Sequence, residues 1–271
     1  MPAIQPARLK QQAALLASHF DNPAVFVRSL HNLLDFYADR VRRPGHTGKP
    51  PPLIASYRVR PPVLRQIIQE LIPLVSESPQ QGLALCDALW EEPYLGFRLL
   101  AATLLGQIPP DQYEQVVHRL QTWITPDLDD HLTTILLDQS LSRLHRERPQ
   151  IPLTLVQDWL ASSNTFQQQL GLRALLPMIQ DPGFENLPAF FRLLHPFIRQ
   201  APPPLRVDIL EALLALVHRS PQETAYFLQQ TLELSNCPDT PWLVRQSLPE
   251  FPPGIQKDLR AAVRSRSKAQ K

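Results

Sequence analysis

Three carboxylates fall within four residues, at Asp127, Asp129 and Asp130, directly after Pro126 and a few residues beyond Trp123. Such a run has two chemical uses. It can set a fixed negative charge beside a reacting centre, or it can accept the unpaired amides of a helix that begins there. A second loaded stretch reads Trp159-Leu-Ala-Ser162-Ser-Asn164-Thr-Phe166-Gln-Gln-Gln169, with Arg173 one turn later. Trp123 and Trp159 read either as ligand-contacting rings or as packing between helices. The third set is cationic. Residues 38–65 carry Arg40, Arg42, Arg43, Lys49, Arg58, Arg60 and Arg65 against the single acid Asp39. Guanidinium and ammonium groups on a loop are suited to nucleic-acid phosphates, and a solvated loop with no partner is the alternative. Arg98, Arg206 and Arg245 recur at related positions, where a repeat array pairs arginine with an acid of its neighbour.

Net charge is only +2, but it is unevenly spread. The segments 38–65 and 260–271 hold 12 of the 27 basic residues and one of the 25 acids, leaving 15 against 24 elsewhere. A polyanion would therefore meet local basic patches on an acidic body. The eight histidines show no metal-ligand spacing, and Cys86 and Cys237 each stand alone. No metal and no cofactor are expected. Glycine-rich phosphate loops and nucleophile elbows are absent. No apolar run reaches the ~18 residues of a membrane span, so a cytoplasmic, reduced protein without membrane partners is expected.

These residues must be positioned by helices. Proline is abundant (30 residues against 8 glycines) and sits between leucine-rich periodic runs, as punctuation at helix starts. Asn22-Pro23, Ser78-Pro79, Asp111, Ser220-Pro221 and Thr240-Pro241 all give a cap-then-start signal. Residues 42–52 (RRPGHTGKPPP) break the pattern and read as a flexible basic loop, and 260–271 as a disordered basic tail. No segment alternates like a strand. The stretch from Arg98 to Ile108 overlays Gln169 to Ile179 and Arg206 to Leu216, with weaker copies near Asp130 and Arg245. A period of 33 to 39 residues suits stacked helix pairs. The expectation is an all-α, HEAT-like solenoid of about six antiparallel helix pairs, forming one domain over 1–259.

On these residues the chain resembles the HEAT-like-repeat DNA glycosylases that excise alkylated purines. Ser56-Tyr-Arg-Val-Arg-Pro-Pro-Val-Leu-Arg65 is similar to the family segment in which Gly-Val or Tyr-Gly-Val precedes a Pro-x-Leu-Arg helix start. Leu89-Trp90, Phe97-Arg98 and Ala101-Ala102 resemble the next two helices, and Trp159, Ser162, Asn164 and Phe166 follow the family spacing. The likeness covers residues 35 to 255 approximately. It implies a cleft in which tryptophan rings pack on the nucleotide sugar and an aspartate stabilises the cationic transition state of glycosidic cleavage. Asp130 takes that catalytic place by its local Asp-Leu-x-Asp run; Asp127, four residues after Trp123, is the alternative. Gln169 stands where the resemblance implies an arginine, and Trp242 precedes the place of the family's late tryptophan near Glu250. The implied DNA contacts are Arg42, Arg43, Lys49, Arg58, Arg60, Arg65, Arg98, Trp159, Gln169 and Arg173. The expectation is a binder of duplex DNA, alkylated or unmodified, through a concave face, with weak or absent excision. The alternative is a non-catalytic scaffold for a protein partner.

Overall fold

The computed structural model describes residues 5–38, 54–234 and 236–269. Its contacts group into two compact units, Met1–Arg148 and Pro149–Lys271. The fold is all-α and built of helical repeats; among the described residues the one β feature is an isolated bridge between Ala55 and Tyr94.

The first unit contains α1 (Pro6–Ala17), α2 (Pro23–Tyr37), α3 (Pro61–Glu77), α4 (Pro79–Trp90), α5 (Leu95–Leu105), α6 (Tyr113–Trp123), α7 (Asp130–Gln139) and α8 (Ser142–Glu147). The apolar residues of α2 that share one stripe, Phe26, Leu30, Leu33, Leu34 and Tyr37, are all buried. Alternate helices stack: α1 on α3, α3 on α5 and α5 on α7, with α2 on α4 in the companion layer. Each helix pair thus buries its face against the next pair, which is what the repeat period requires. At Gly106, after α5, any Cβ would lie 1.9 Å from the Gln139 carbonyl oxygen at the end of α7. Only glycine lets these two helix ends come so close.

The second unit repeats the scheme. It holds α9 (Gln150–Ala161), α10 (Thr165–Gln180), α11 (Leu187–Arg199), α12 (Arg206–Arg219), α13 (Pro221–Glu233), α14 (Thr240–Ser247) and α15 (Pro253–Ala269). The helix α9 packs on α10, then α10, α12 and α14 form one layer and α11, α13 and α15 the other. The overlaid sequence copies are α5, α10 and α12.

The proline starts are realised, with differences of detail. Asn22 caps α2, its Oδ1 accepting the Val25 amide at 3.3 Å. Ser78 and Ser220 occupy N-cap positions but make no side-chain cap. Their backbone carbonyls accept instead from Gly82 and Thr224, each at 3.0 Å. Thr240 is not the cap of α14. It is buried and donates to the Ile198 carbonyl at 2.8 Å, while Asp239 takes the N-cap position. Asp111 lies in a short 3₁₀ turn, Pro110–Gln112, so α6 begins later than its start signal. Among the described residues Pro73, Pro177 and Pro196 lie inside helices, toward their C-terminal ends, each giving up its own i−4 amide bond. Of the tail expected over 260–271, residues 260–269 continue α15, because Leu259 and Val263 bury on one face and Arg266 reaches the carbonyls of Leu232 and Leu234; residues 270–271 lie outside the described residues.

Both cysteines are reduced and buried. Cys86 sits inside α4, where burial pushes its thiol far above the usual range. Cys237 donates to the Leu234 carbonyl at 3.2 Å. No helix among the described residues is long and apolar enough to cross a membrane.

Candidate functional site

The aspartate run divides into a cap and two surface residues. Asp129 is the N-cap of α7, its Oδ1 accepting the amides of His131 at 3.0 Å and Leu132 at 3.3 Å. That carboxylate satisfies helix donors and lies where the helix dipole favours negative charge. Asp127 and Asp130 are exposed, Asp130 in the first turn of α7 and Asp127 in the link before it. Trp123, at the end of α6, is buried against Trp90, the last residue of α4; the rings are stacked at 4.7 Å and 9°. The Arg98 guanidinium also lies over the Trp90 ring, 5.1 Å from its centroid, and its Nε donates to the Glu92 carbonyl at 3.1 Å. Trp123 and Arg98 are thus joined through Trp90 in a packed aromatic and cationic stack.

The basic residues before α3 are arranged differently. Arg60 is the exposed N-cap residue of α3, and Arg65 is exposed one turn into the helix. Arg58 is exposed and has φ 51, in the left-handed region. That conformation favours glycine, and Arg58 stands at the position where the resembling family segment has glycine. Ser56 Oγ accepts the Arg58 amide at 3.1 Å, and Leu95 N donates to the Ala55 carbonyl at 2.8 Å. Tyr57 is anchored by its ring and its hydroxyl: the ring stacks on Tyr94 at 4.8 Å and 22°, and the Oη lies 2.8 Å from His31 Nδ1. His31 Nε2 is 3.0 Å from Glu92 Oε2. A neutral imidazole with its proton on Nε2 donates to Glu92 and accepts from Tyr57, satisfying all three groups. Partial burial, then the neighbouring Tyr94, raises the Tyr57 hydroxyl above its ordinary pKa, which keeps it a donor. Arg58 and Arg65 line one groove of about 380 Å³. Arg42, Arg43 and Lys49 lie outside the described residues, as does the expected loop 42–52.

In the second unit the motif around Trp159 is a fold device. Trp159 is buried within α9. Ser162 Oγ accepts the Asn164 amide at 3.0 Å, and Asn164 caps α10 by accepting the Phe166 amide at 2.9 Å. Gln169 and Arg173, one turn apart on α10, both turn to Asp208 of α12: Gln169 Nε2 donates to Oδ2 at 3.1 Å, and Arg173 Nε to Oδ1 at 2.7 Å. Asp208 is only 4% exposed. Both its oxygens are occupied, so the carboxylate acts as a strut between helices.

Sequence reasoning passed over Asp208, although a signal existed. It stands at helical spacing with Leu205, Ile209 and Ala212, the only acid on that buried stripe. The same linkage recurs around it. Arg206 Nη2 meets Asp239 Oδ1 at 3.1 Å while its guanidinium covers Trp242, and in the first unit Arg119 grips Asp87 at 2.8 and 2.7 Å. Arg206 thus pairs with an acid of the next helix of its layer, as expected of a repeat arginine, whereas Arg98 packs on a ring and Arg245 is exposed. No group of three or more His, Cys, Asp or Glu among the described residues is placed to hold a metal.

A family model described as "DNA alkylation repair enzyme" matches residues 54–241. That span takes in the Ser56 segment, the Trp90 stack, the aspartate run and the Asp208 cluster. Comparison with curated proteins and with solved structures gives no match.

Proposed function

Because the chain belongs to the DNA alkylation repair enzyme family, we propose that it binds duplex DNA through the basic edge of its first unit, with little or no base excision. One observation carries this reading. Arg58, Arg60 and Arg65 are exposed together around the start of α3, and the Arg58 backbone is held in an unfavourable conformation there. Such strain persists where the surrounding structure over-determines it, and it gathers at functional sites. Guanidinium groups are matched to phosphate oxygens by charge and by their planar fork.

Two observations support weak excision. Gln169 occupies the position where the resemblance implies an arginine, and its amide is engaged by Asp208. An uncharged donor in place of a charged one forfeits about 1.5–3 kcal/mol of hydrogen bonding, one to two decades in rate. Trp123 packs on Trp90 inside the unit. Asp130 is the group we assign to any residual catalysis, with Asp127 the alternative.

The test is a filter-binding titration at several salt concentrations, on unmodified duplex and on duplex with one 7-methylguanine. Both should bind with a steep loss of affinity as salt rises. A single-turnover excision assay on the native chain and Asp130→Asn should give rates near background for both. No binding at about 50 mM salt would overturn the DNA reading and favour a scaffold for a protein partner. Fast excision that disappears in Asp130→Asn would overturn the claim of weak activity.

A further inference from the structure

The groove that Arg58 and Arg65 share has a floor they do not explain. Its walls are aliphatic: Leu34 of α2, Leu64 and Ile68 of α3, and Leu95 and Leu99 of α5. A duplex phosphate needs only the guanidinium rim, and its charge gains nothing from five aliphatic side chains behind it. A volume of about 380 Å³ falls in the range of small-molecule sites.

The groove is also preformed. Its fourth wall, residues 56–59, is fixed by the Ala55–Leu95 backbone bond, the Tyr57–Tyr94 stack and the Glu92–His31–Tyr57 chain of hydrogen bonds. A fixed wall spares a ligand the cost of ordering it. The lining selects the ligand class. Nucleobases are gripped by free aromatic faces, but Tyr57 is the one aromatic ring in the lining and it already stacks on Tyr94. Saturated walls suit a saturated chain. Two arginines at the rim select an anionic head, and a carboxylate matches the guanidinium fork.

We propose that this groove binds a medium-chain aliphatic carboxylate, with the alkyl chain on Leu64, Ile68, Leu95 and Leu99 and the carboxylate at Arg58 and Arg65. Octanoate is the probe, titrated into the full chain without DNA and followed by methyl resonances of Leu64, Ile68 and Leu99. The absence of DNA makes the result independent of the duplex titration. Octanoate should give saturable shifts at these methyls, and octanol and octyltrimethylammonium should bind at least about tenfold more weakly, a difference set by the head group alone. Arg65→Glu should weaken octanoate by a similar factor, and Leu99→Trp, which fills the floor, should abolish the shifts. Far-UV circular dichroism and thermal melting check that both variants fold; Leu99→Ala, which enlarges the floor, serves where Leu99→Trp does not. Octanol binding as tightly as octanoate, unchanged octanoate affinity in Arg65→Glu, or an absence of shifts at the groove methyls would each overturn the proposal. Binding only to anionic phospholipid vesicles, with none to octanoate, would place the surface at a membrane and likewise overturn it.

Discussion

Arg58 and Arg173 are both arginines within the family span, and the fold treats them in opposite ways. Arg173 is drawn inward to Asp208, which it meets at 2.7 Å across two helices of one layer. Arg58 is held outward on a segment pinned at Ala55 and Tyr57, in a backbone conformation that a glycine would take at lower cost. The first arrangement spends its charge on holding repeats together. The second presents its guanidinium on an exposed segment at some expense in stability. Arginine content alone therefore says little about nucleic-acid binding; whether the fold buries or exposes the guanidinium's surroundings decides.

The largest effect that would break this contrast is on the inward side. Asp208→Ala removes the buried carboxylate that Gln169 and Arg173 both engage; with the Arg173 side chain 22% exposed, it should cost about 1–3 kcal/mol. Urea denaturation measures it, and the duplex affinity of the folded protein should be unchanged. A loss of duplex affinity without a loss of stability would move Asp208 from strut to ligand site. On the outward side, Arg58→Gly should raise stability by about 1 kcal/mol through relief of the left-handed strain. It should also weaken duplex binding and reduce the slope of log affinity against log salt by about one. A variant that gains stability and keeps the slope would show that Arg58 meets no phosphate. The smallest effect sharpens the contrast. Asp87 is paired with Arg119 in the first unit much as Asp208 is with Arg173, but Asp87 is 43% exposed. Solvent screens such a pair, so Asp87→Ala should cost under about 1 kcal/mol. An equal cost at Asp87 and Asp208 would mean that burial is not what separates them.

The fold was legible because its signals are redundant. Leucine stripes, proline starts and the 33 to 39 residue recurrence all point to stacked helix pairs, and α5, α10 and α12 are the overlaid copies themselves. The detail of the caps was less so. Whether Ser78 uses its hydroxyl or its carbonyl, or whether Thr240 caps or buries, depends on the neighbouring helix and not on the local string. The candidate site was legible by residue type and poorly by role. The sequence marks Asp127, Asp129 and Asp130 alike, yet only the geometry separates the cap Asp129 from its exposed neighbours. It marks Gln169 as a lost arginine, whereas the partner 39 residues on shows in the sequence only as an acid on an apolar stripe. The groove between α3 and α5 escaped entirely, since its lining comes from three separated stretches of chain.

The burial of Cys86 and Cys237 has a practical consequence. Maleimides react with thiolates that solvent can reach, and both native sulfurs are enclosed, that of Cys86 also held firmly in its thiol form. The folded chain is thus a blank background for covalent labelling. A cysteine introduced at the exposed Arg60 position would carry a fluorophore alone, without removal of either native sulfur, and would report occupancy of the basic edge in real time.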